Sequence, residues 1–377
     1  MPDPRLPHLK LTWNGADVST FARVVEVEDD DRLTDRAQID FEGFVAGATL
    51  ADQQNVTIEL GWQGENAVIF EGLINRVQDV AGSDGTHRTR VSALDLSSKM
   101  NINAVPHTWN DSTLTDHIRQ LVTPYSIPVH TVESDPNPTL TPQHPLTATA
   151  QTDLVFLQEL ARRYGCRCFV EYNDGRSQFY FVSETTLMAA SPAGVLVWCD
   201  GGVGHLRTMT YRRGAGLAPP SITATATDPA SGQATPAAPD PPAVPDAIAV
   251  DATMVSHADP GYVGAVAAAT TSTETHVDHV PSSTAAGIPS SPDRAIQATR
   301  RDTTAPLGFS GEGVATGTIM LRAKSLVTIQ NIAPWAAGDW YVRRAVHVWR
   351  DTTPAQARTG PHAHRTASYE TRFAVTR

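Results

Sequence analysis

The run NVTIELGW, residues 55–62, alternates strictly, with Val56, Ile58, Leu60 and Trp62 on one face and Thr57, Glu59 and Gly61 on the other. A period of two is the pattern of a strand with one buried face, and a helix would scatter those apolar residues around its axis. AQIDFEG repeats the pattern with Ala37, Ile39 and Phe41 inward. The turn-forming clusters QGEN at 63–66 and GSDG at 82–85 separate apolar runs, so Asn55 to Leu96 reads as consecutive antiparallel strands. Closure as a small barrel or strongly curved sheet buries these faces most economically.

The pattern changes at Thr108. Leu114, Ile118, Leu121 and Val122 follow helical spacing, with Asp111 or Ser112 as candidate cap and Pro124 as the stop. A second helix is predicted from near Thr152, where Leu154, Leu157, Ala161 and Tyr164 recur at helical spacing and Gly165 takes the C-terminal position. CRCFVEYNDGRSQFYFV then reads as a hairpin about the turn Asn173-Asp174-Gly175. Residues 101–199 are therefore expected to form an α+β domain, preceded by a first β domain at 1–100.

Strand character returns at HLRTMTYRR and SITATAT, then gives way to QATPAAPDPPAVPD, whose prolines remove backbone donors and favour extended conformations. The next stretch is rich in Ala, Thr and Ser and has few large apolar groups. A short helix is expected at Arg294 to Arg301, followed by strand runs at GTIMLRA, SLVTIQNI, DWYVRRAVHVW and SYETRFAVTR. A second β domain is thus predicted from 200–229 and 306–377, with 230–305 an insert between its two pieces. The length of 377 residues accommodates these domains.

Charge and cysteine content narrow the function classes. The formal charge of -11, from 40 acidic against 29 basic groups, argues against specific nucleic-acid binding. The basic groups are almost all arginine, with lysine only at Lys10, Lys99 and Lys324. The thiols Cys166, Cys168 and Cys199 are too few for a disulfide framework, which points to assembly in the cytoplasm. No apolar run reaches the roughly 18–20 residues of a membrane span, and the N-terminus lacks the apolar core of a secretory signal, so no membrane insertion is expected.

Candidate chemistry is sparse. His276-Val277-Asp278-His279 brings together ligand types that suit zinc or iron, but it sits in a Thr/Ser-rich stretch without a third ligand at a fixed offset and reads as a solvated loop. His362 and His364 lie in an Arg/Pro/Gly-rich loop. Cys166 and Cys168 share one face of a strand and read as buried small hydrophobes, unlike a redox pair at a helix start. The acidic run Glu26, Glu28, Asp29, Asp30 and Asp31 could supply paired carboxylates for glycosidic hydrolysis, but a solvent-exposed strand exit explains it more simply. Trp335, Trp340, Tyr341 and Trp349 are better read as core or interface than as a carbohydrate platform. No G-x-S-x-G, phosphate loop or His-Glu-x-x-His occurs, so no catalytic residue, metal or cofactor is assigned and the chain is not expected to be an enzyme.

The order of these segments carries a resemblance. TWNDSTLTDHIRQLV, QTDLVFLQELARRYGCRCFV, ITATATDPASGQ and LRAKSLVTIQNIAPWAAGDWYVRRAVHVWRD with the closing YETRFAVTR resemble the late control protein D family, the baseplate hub of contractile phage tails and injection systems. The hub half of type VI secretion spike proteins is similar. Gln151, Thr152 and Asp153 match a shortened form of the family's capping segment, and Lys324 stands where the family commonly has glycine. The resemblance implies a mainly β chain with two tube-type β-barrel domains flanking an α+β domain. It further implies a homotrimer that joins a sixfold tail tube, or its initiator, to a threefold spike trimer, among baseplate wedge proteins. A secreted or particle-attached cell-wall hydrolase, or a carbohydrate-binding protein, is the alternative reading.

Overall fold

In a computed structural model of the chain, the described residues are 6–42, 53–83, 87–104, 106–135, 137–142, 145–148, 151–199, 205–213, 221–227, 234–237, 275–278, 309–353 and 366–377. The alternating segments are strands, as their period requires. They are β1 Pro7–Trp13, β2 Ala16–Asp17, β3 Ala22–Asp30, β4 Arg36–Glu42, β5 Asn55–Trp62, β6 Glu65–Ala81 and β7 His87–Asp95. Trp62 and Glu65 are cross-strand partners around a Gln63-Gly64 turn, with Gly64 at φ 86. The neighbours run β3-β4-β7-β6-β5-β1, all antiparallel. Val56, Ile58, Leu60, Ala37, Ile39 and Phe41 meet in one core, as the alternation demands.

The middle domain contains β8 His107–Trp109, α1 Leu114–Val122, β9 Val129–Val132, β10 Leu146–Ala148, α2 Asp153–Tyr164, β11 Cys166–Asn173, β12 Arg176–Ser183 and α3 Glu184–Met188. Helix α1 is capped by Thr113, whose side chain accepts from the Asp116 amide, and not by Asp111 or Ser112. Helix α2 starts and stops as its signals predict, capped by Thr152 and ended by Gly165 at φ 60. In the β11–β12 hairpin, Asp174 and Gly175 both take positive φ, the requirement of a tight two-residue turn. The apolar faces of both long helices close over Cys166, Cys168, Val170, Phe179 and Phe181.

The remaining strands are β13 Val195–Val197, β14 Leu206–Arg213, β15 Ser221–Thr227, β16 Ala234–Ala237, β17 Thr275–Asp278, β18 Phe309–Thr316, β19 Ser325–Gln330, β20 Gly338–Asp351 and β21 Ala367–Thr376. The order β14-β18-β21-β20-β19-β13 forms a second six-strand unit, and a bridge from Trp198 to Leu206 brings its last strand back to its first. SITATAT, expected in this unit, instead pairs as β15 with β16 and β17 in a separate three-stranded sheet. GTIMLRA, expected as a strand, is a turn-rich loop, although Leu321 and Ala323 are buried. The helix predicted at Arg294 to Arg301 lies outside the described residues.

Antiparallel pairing of β20 with β3 joins both units into one sheet, whose 13 strands include the two-residue β2 beside β1. The long strands β20 and β21 serve both cores. Trp349 and Tyr369 pack into the first core, while Trp340, Val342, Ala345, Phe373 and Val375 pack into the second. The chain is therefore mainly β, with an α+β domain set against paired curled sheets. No helix among the described residues is long and apolar enough to cross a membrane.

Candidate functional site at the three-domain junction

Strand β3 ends against β20, and this places its acidic tail where all three domains meet. The solvated reading of that tail fails: Asp29 and Asp31 are buried, and Glu28 nearly so. Each is paired with a cation from another domain. Asp29 receives Arg322 Nε at 2.8 Å, Lys324 Nζ at 2.5 Å and the Ala323 amide at 3.1 Å, all from the loop before β19. Lys324 also reaches the Asp30 carbonyl and Asp35 Oδ2, each at 3.2 Å, and lies 4.9 Å above the Phe169 ring. Arg322 Nη2 continues to Glu171 of β11 at 2.8 Å. Asp31 receives Arg167 Nε of β11 at 3.2 Å, and Arg167 also pairs with Glu184 of α3.

These charges are shielded from water, so their proton affinities separate. Burial raises Asp29, but Lys324 and Arg322 outweigh it and hold the carboxyl well below its ordinary range. Burial pushes Asp35 well up, and the neighbouring Asp29 charge adds to the rise. Burial likewise pushes Asp95 up to about 6, against the hydrogen bonds that it accepts from the Ser97 and Asp35 amides. Asp31 is raised by burial and partly restored by Arg167. The Lys324 ammonium is held protonated because Asp29 and Asp35 outweigh its desolvation. The cluster is an ion-pair lock between domains.

Elsewhere, Cys166 and Cys168 are buried in the middle core, and burial pushes the Cys168 thiol far up, which suits packing and not redox chemistry. Trp340, Tyr341 and Trp349 are fully buried, and Trp335 packs edge-on against Tyr211 and Phe309, so these rings form core and not a platform. His276 and Asp278 lie on β17, whereas His279, His362 and His364 lie outside the described residues. Among the described residues no group of His, Cys, Asp and Glu is arranged to hold a metal.

One constellation escaped sequence reading. Ser112 Oγ and Asp111 Oδ1 stand 3.2 and 3.4 Å from His117, but both meet Nε2. A nucleophile relay needs its hydroxyl and its carboxylate on opposite ring nitrogens, so this trio cannot operate as one. The lock itself was also missed. Its signal was Lys324, one of three lysines, at a position that favours glycine.

A sequence model described as phage tail baseplate hub (GPD) matches residues 42–353. No curated protein matches the sequence. Among solved structures, the fold is similar to the 43 kDa tail protein of prophage MuSo2 from Shewanella oneidensis, with 12% identity, a TM-score of 0.64 and coverage of 98% of each chain. It is also similar to a tail protein from Neisseria meningitidis MC58, with 11% identity, a TM-score of 0.61 and coverage of 98% of this chain and 96% of that one. The Escherichia coli c3393 protein, a component of the type VI secretion system, is similar at 10% identity and a TM-score of 0.54, with coverage of 97% of this chain and 76% of that one.

Proposed function

Because the chain belongs to the phage tail baseplate hub family, we propose that it is the trimeric adapter that joins a sixfold tail tube to a threefold spike. One observation carries this reading: a single chain holds two six-strand units in one continuous sheet. Three such chains present six similar units to a hexameric tube or tube initiator while keeping threefold symmetry toward a spike trimer. Baseplate wedge proteins surround the ring, and assembly takes place in the bacterial cytoplasm. The role is architectural and not enzymatic, consistent with the internally neutralised junction and the buried rings of the β domains.

Light scattering on the purified chain tests the stoichiometry. Three copies of 40.5 kDa give about 121.5 kDa, and the trimer should bind a purified spike trimer in a one-to-one complex. A chain that remains monomeric or dimeric alone and with its spike overturns the adapter reading.

A further inference from the structure

The two six-strand units repeat one another in order and in register. The sequence β3-β4-β7-β6-β5-β1 corresponds to β14-β18-β21-β20-β19-β13. Two pairs of irregularities fall at matching places, while the bulge of Ile69 against β5 has no counterpart between β20 and β19. Arg23 bulges between Ala22 and Val24 against β4, and Arg207 bulges between Leu206 and Thr208 against β18. Asn75 bulges between Ile74 and Arg76 against β7, and Arg343 bulges between Val342 and Arg344 against β21.

Superposing bulge on bulge puts Gln78 on Val346, Asp79 on His347 and Val80 on Val348. The same step puts Thr210 on Glu26, Tyr211 on Val27 and Arg212 on Glu28. Independent contacts agree. Gln53 and Lys324 take φ 71 and 64 and donate their amides to the matching carbonyls of Ile74 and Val342, at 2.8 and 2.9 Å. Thr89 bonds Asp79 just as Thr371 meets His347. The units differ in one pairing, since β1 is antiparallel to β5 whereas β13 is parallel to β19.

What differs further is what their edges meet. The second half of β20 pairs with β3, from Arg344 opposite Asp30 to Arg350 opposite Val24. Among the described residues, the corresponding half of β6, residues 75–81, pairs with β7 on one side only, and no strand pairs with its other edge or with the outer edge of β14 beyond the bridge at Leu206. Val348 is 1% exposed, while Val80 in the matching place is 48% exposed. Open edges of this kind offer unpaired amides and carbonyls to another strand.

We infer that these two edges pair with each other between copies of the chain. Residues 77–81 of one copy run antiparallel to residues 209–213 of the next, with Val80 opposite Thr210 and Gln78 opposite Arg212. This repeats the internal seam, in which Val348 faces Glu26 and Val346 faces Glu28. The occupant is a second copy because each chain offers one edge of each kind, and the internal seam already matches their equivalents. Such a head-to-tail contact closes as a ring or continues as a filament, and its closure at three rests on the adapter reading above. The internal ion pair between Arg344 and Glu28 is not carried over, since Arg76 and Arg212 occupy those places. Main-chain bonds and burial of Val80 therefore hold the seam.

Site-specific cross-linking of the full chain tests this. In a Cys199→Ser background, with Cys166 and Cys168 buried, Val80→Cys combined with Thr210→Cys should join copies through a short bis-maleimide, while neither single variant should. Gln78→Cys with Arg212→Cys repeats the test should the first pair fold poorly, and Gln78→Cys with Thr208→Cys, out of register, should not link. A trimeric mass by light scattering without cross-links at either matched pair overturns the seam and leaves the adapter reading standing. A monomeric mass without cross-links overturns both.

Discussion

Lys324 combines two features that separately disfavour a lysine. Its φ of 64 lies in the left-handed region, which costs an L side chain about 1 kcal/mol, and its ammonium is buried. Both are sustained by Asp29 and Asp35. Lys324→Met should leave Asp35 buried without its cation and Asp29 with Arg322 alone, and destabilise the chain by about 3 kcal/mol in urea unfolding. Adding Asp35→Asn should recover part of that loss, and a Lys324→Met chain as stable as the wild type would show that the lock does not hold the domains. Protons give a second handle. The stability from Asp95, whose carboxyl is raised from 3.8 to about 6, is present in full below 3.8 and is lost as pH rises through about 6. His347 acts in the opposite sense. Burial, with Arg322 adding, holds its imidazole down from 6.5 to about 4, so its stability is present above 6.5 and lost as pH falls through about 4. Asp95→Asn should therefore make the melting temperature rise more steeply with pH between about 4 and 6.5, and His347→Gln should make it rise less steeply. Identical slopes in both variants would sink this assignment. None of this was legible in the acidic run, because alternation reports which face a residue takes and not which distant cation awaits it there.

At the scale of elements, the sequence was most readable where a periodic run carried its own boundary signals, as in α2 between Thr152 and Gly165. It misled where burial and pairing part company. Leu321 and Ala323 alternate and are buried, yet their segment serves as the loop that delivers Arg322 and Lys324 to Asp29. The insert was recognisable from its prolines, but its limits were not, because SITATAT has a strand's composition and finds partners in β16 and β17. Arg213 and Phe309 are cross-strand partners although 214–308 lie between them in sequence. That long segment therefore occupies the place of a hairpin turn. Removing only the insert read from the sequence, 230–305, would take β16 and β17 from β15, so the cleaner cut replaces 214–308 with a two-residue Asn-Gly turn. The shortened chain should keep a β-sheet far-ultraviolet circular dichroism spectrum and melt within about 2 °C of the full chain, a change of under about 1 kcal/mol. A larger drop, or loss of the trimer, would make the insert part of the sheet's support or of its interface.

For the whole molecule, the net charge of -11 is a weaker guide to a ring than it looks. Asp29 and Asp31 are paired with cations inside the chain, and Glu42 shares Arg23 with Asp351, so the acidic count overstates the free negative charge of the surface. Assembly is better addressed through the open sheet edges. Val80 is exposed in the single chain, so Val80→Lys should alter the stability of an isolated copy by no more than about 0.5 kcal/mol, as surface substitutions usually do. In the proposed seam the same lysine would take a place whose internal counterpart, Val348, is buried, and it would stand diagonal to Arg212 with no acid carried over to meet it. Burying an unpaired ammonium there costs several kcal/mol per seam, and a closed ring repeats that cost at every copy. Light scattering should therefore find Val80→Lys at the monomer mass of 40.5 kDa, with an unchanged circular dichroism spectrum, under conditions where the wild type is trimeric. A Val80→Lys chain that keeps the wild-type mass would place the contact between copies on some other edge.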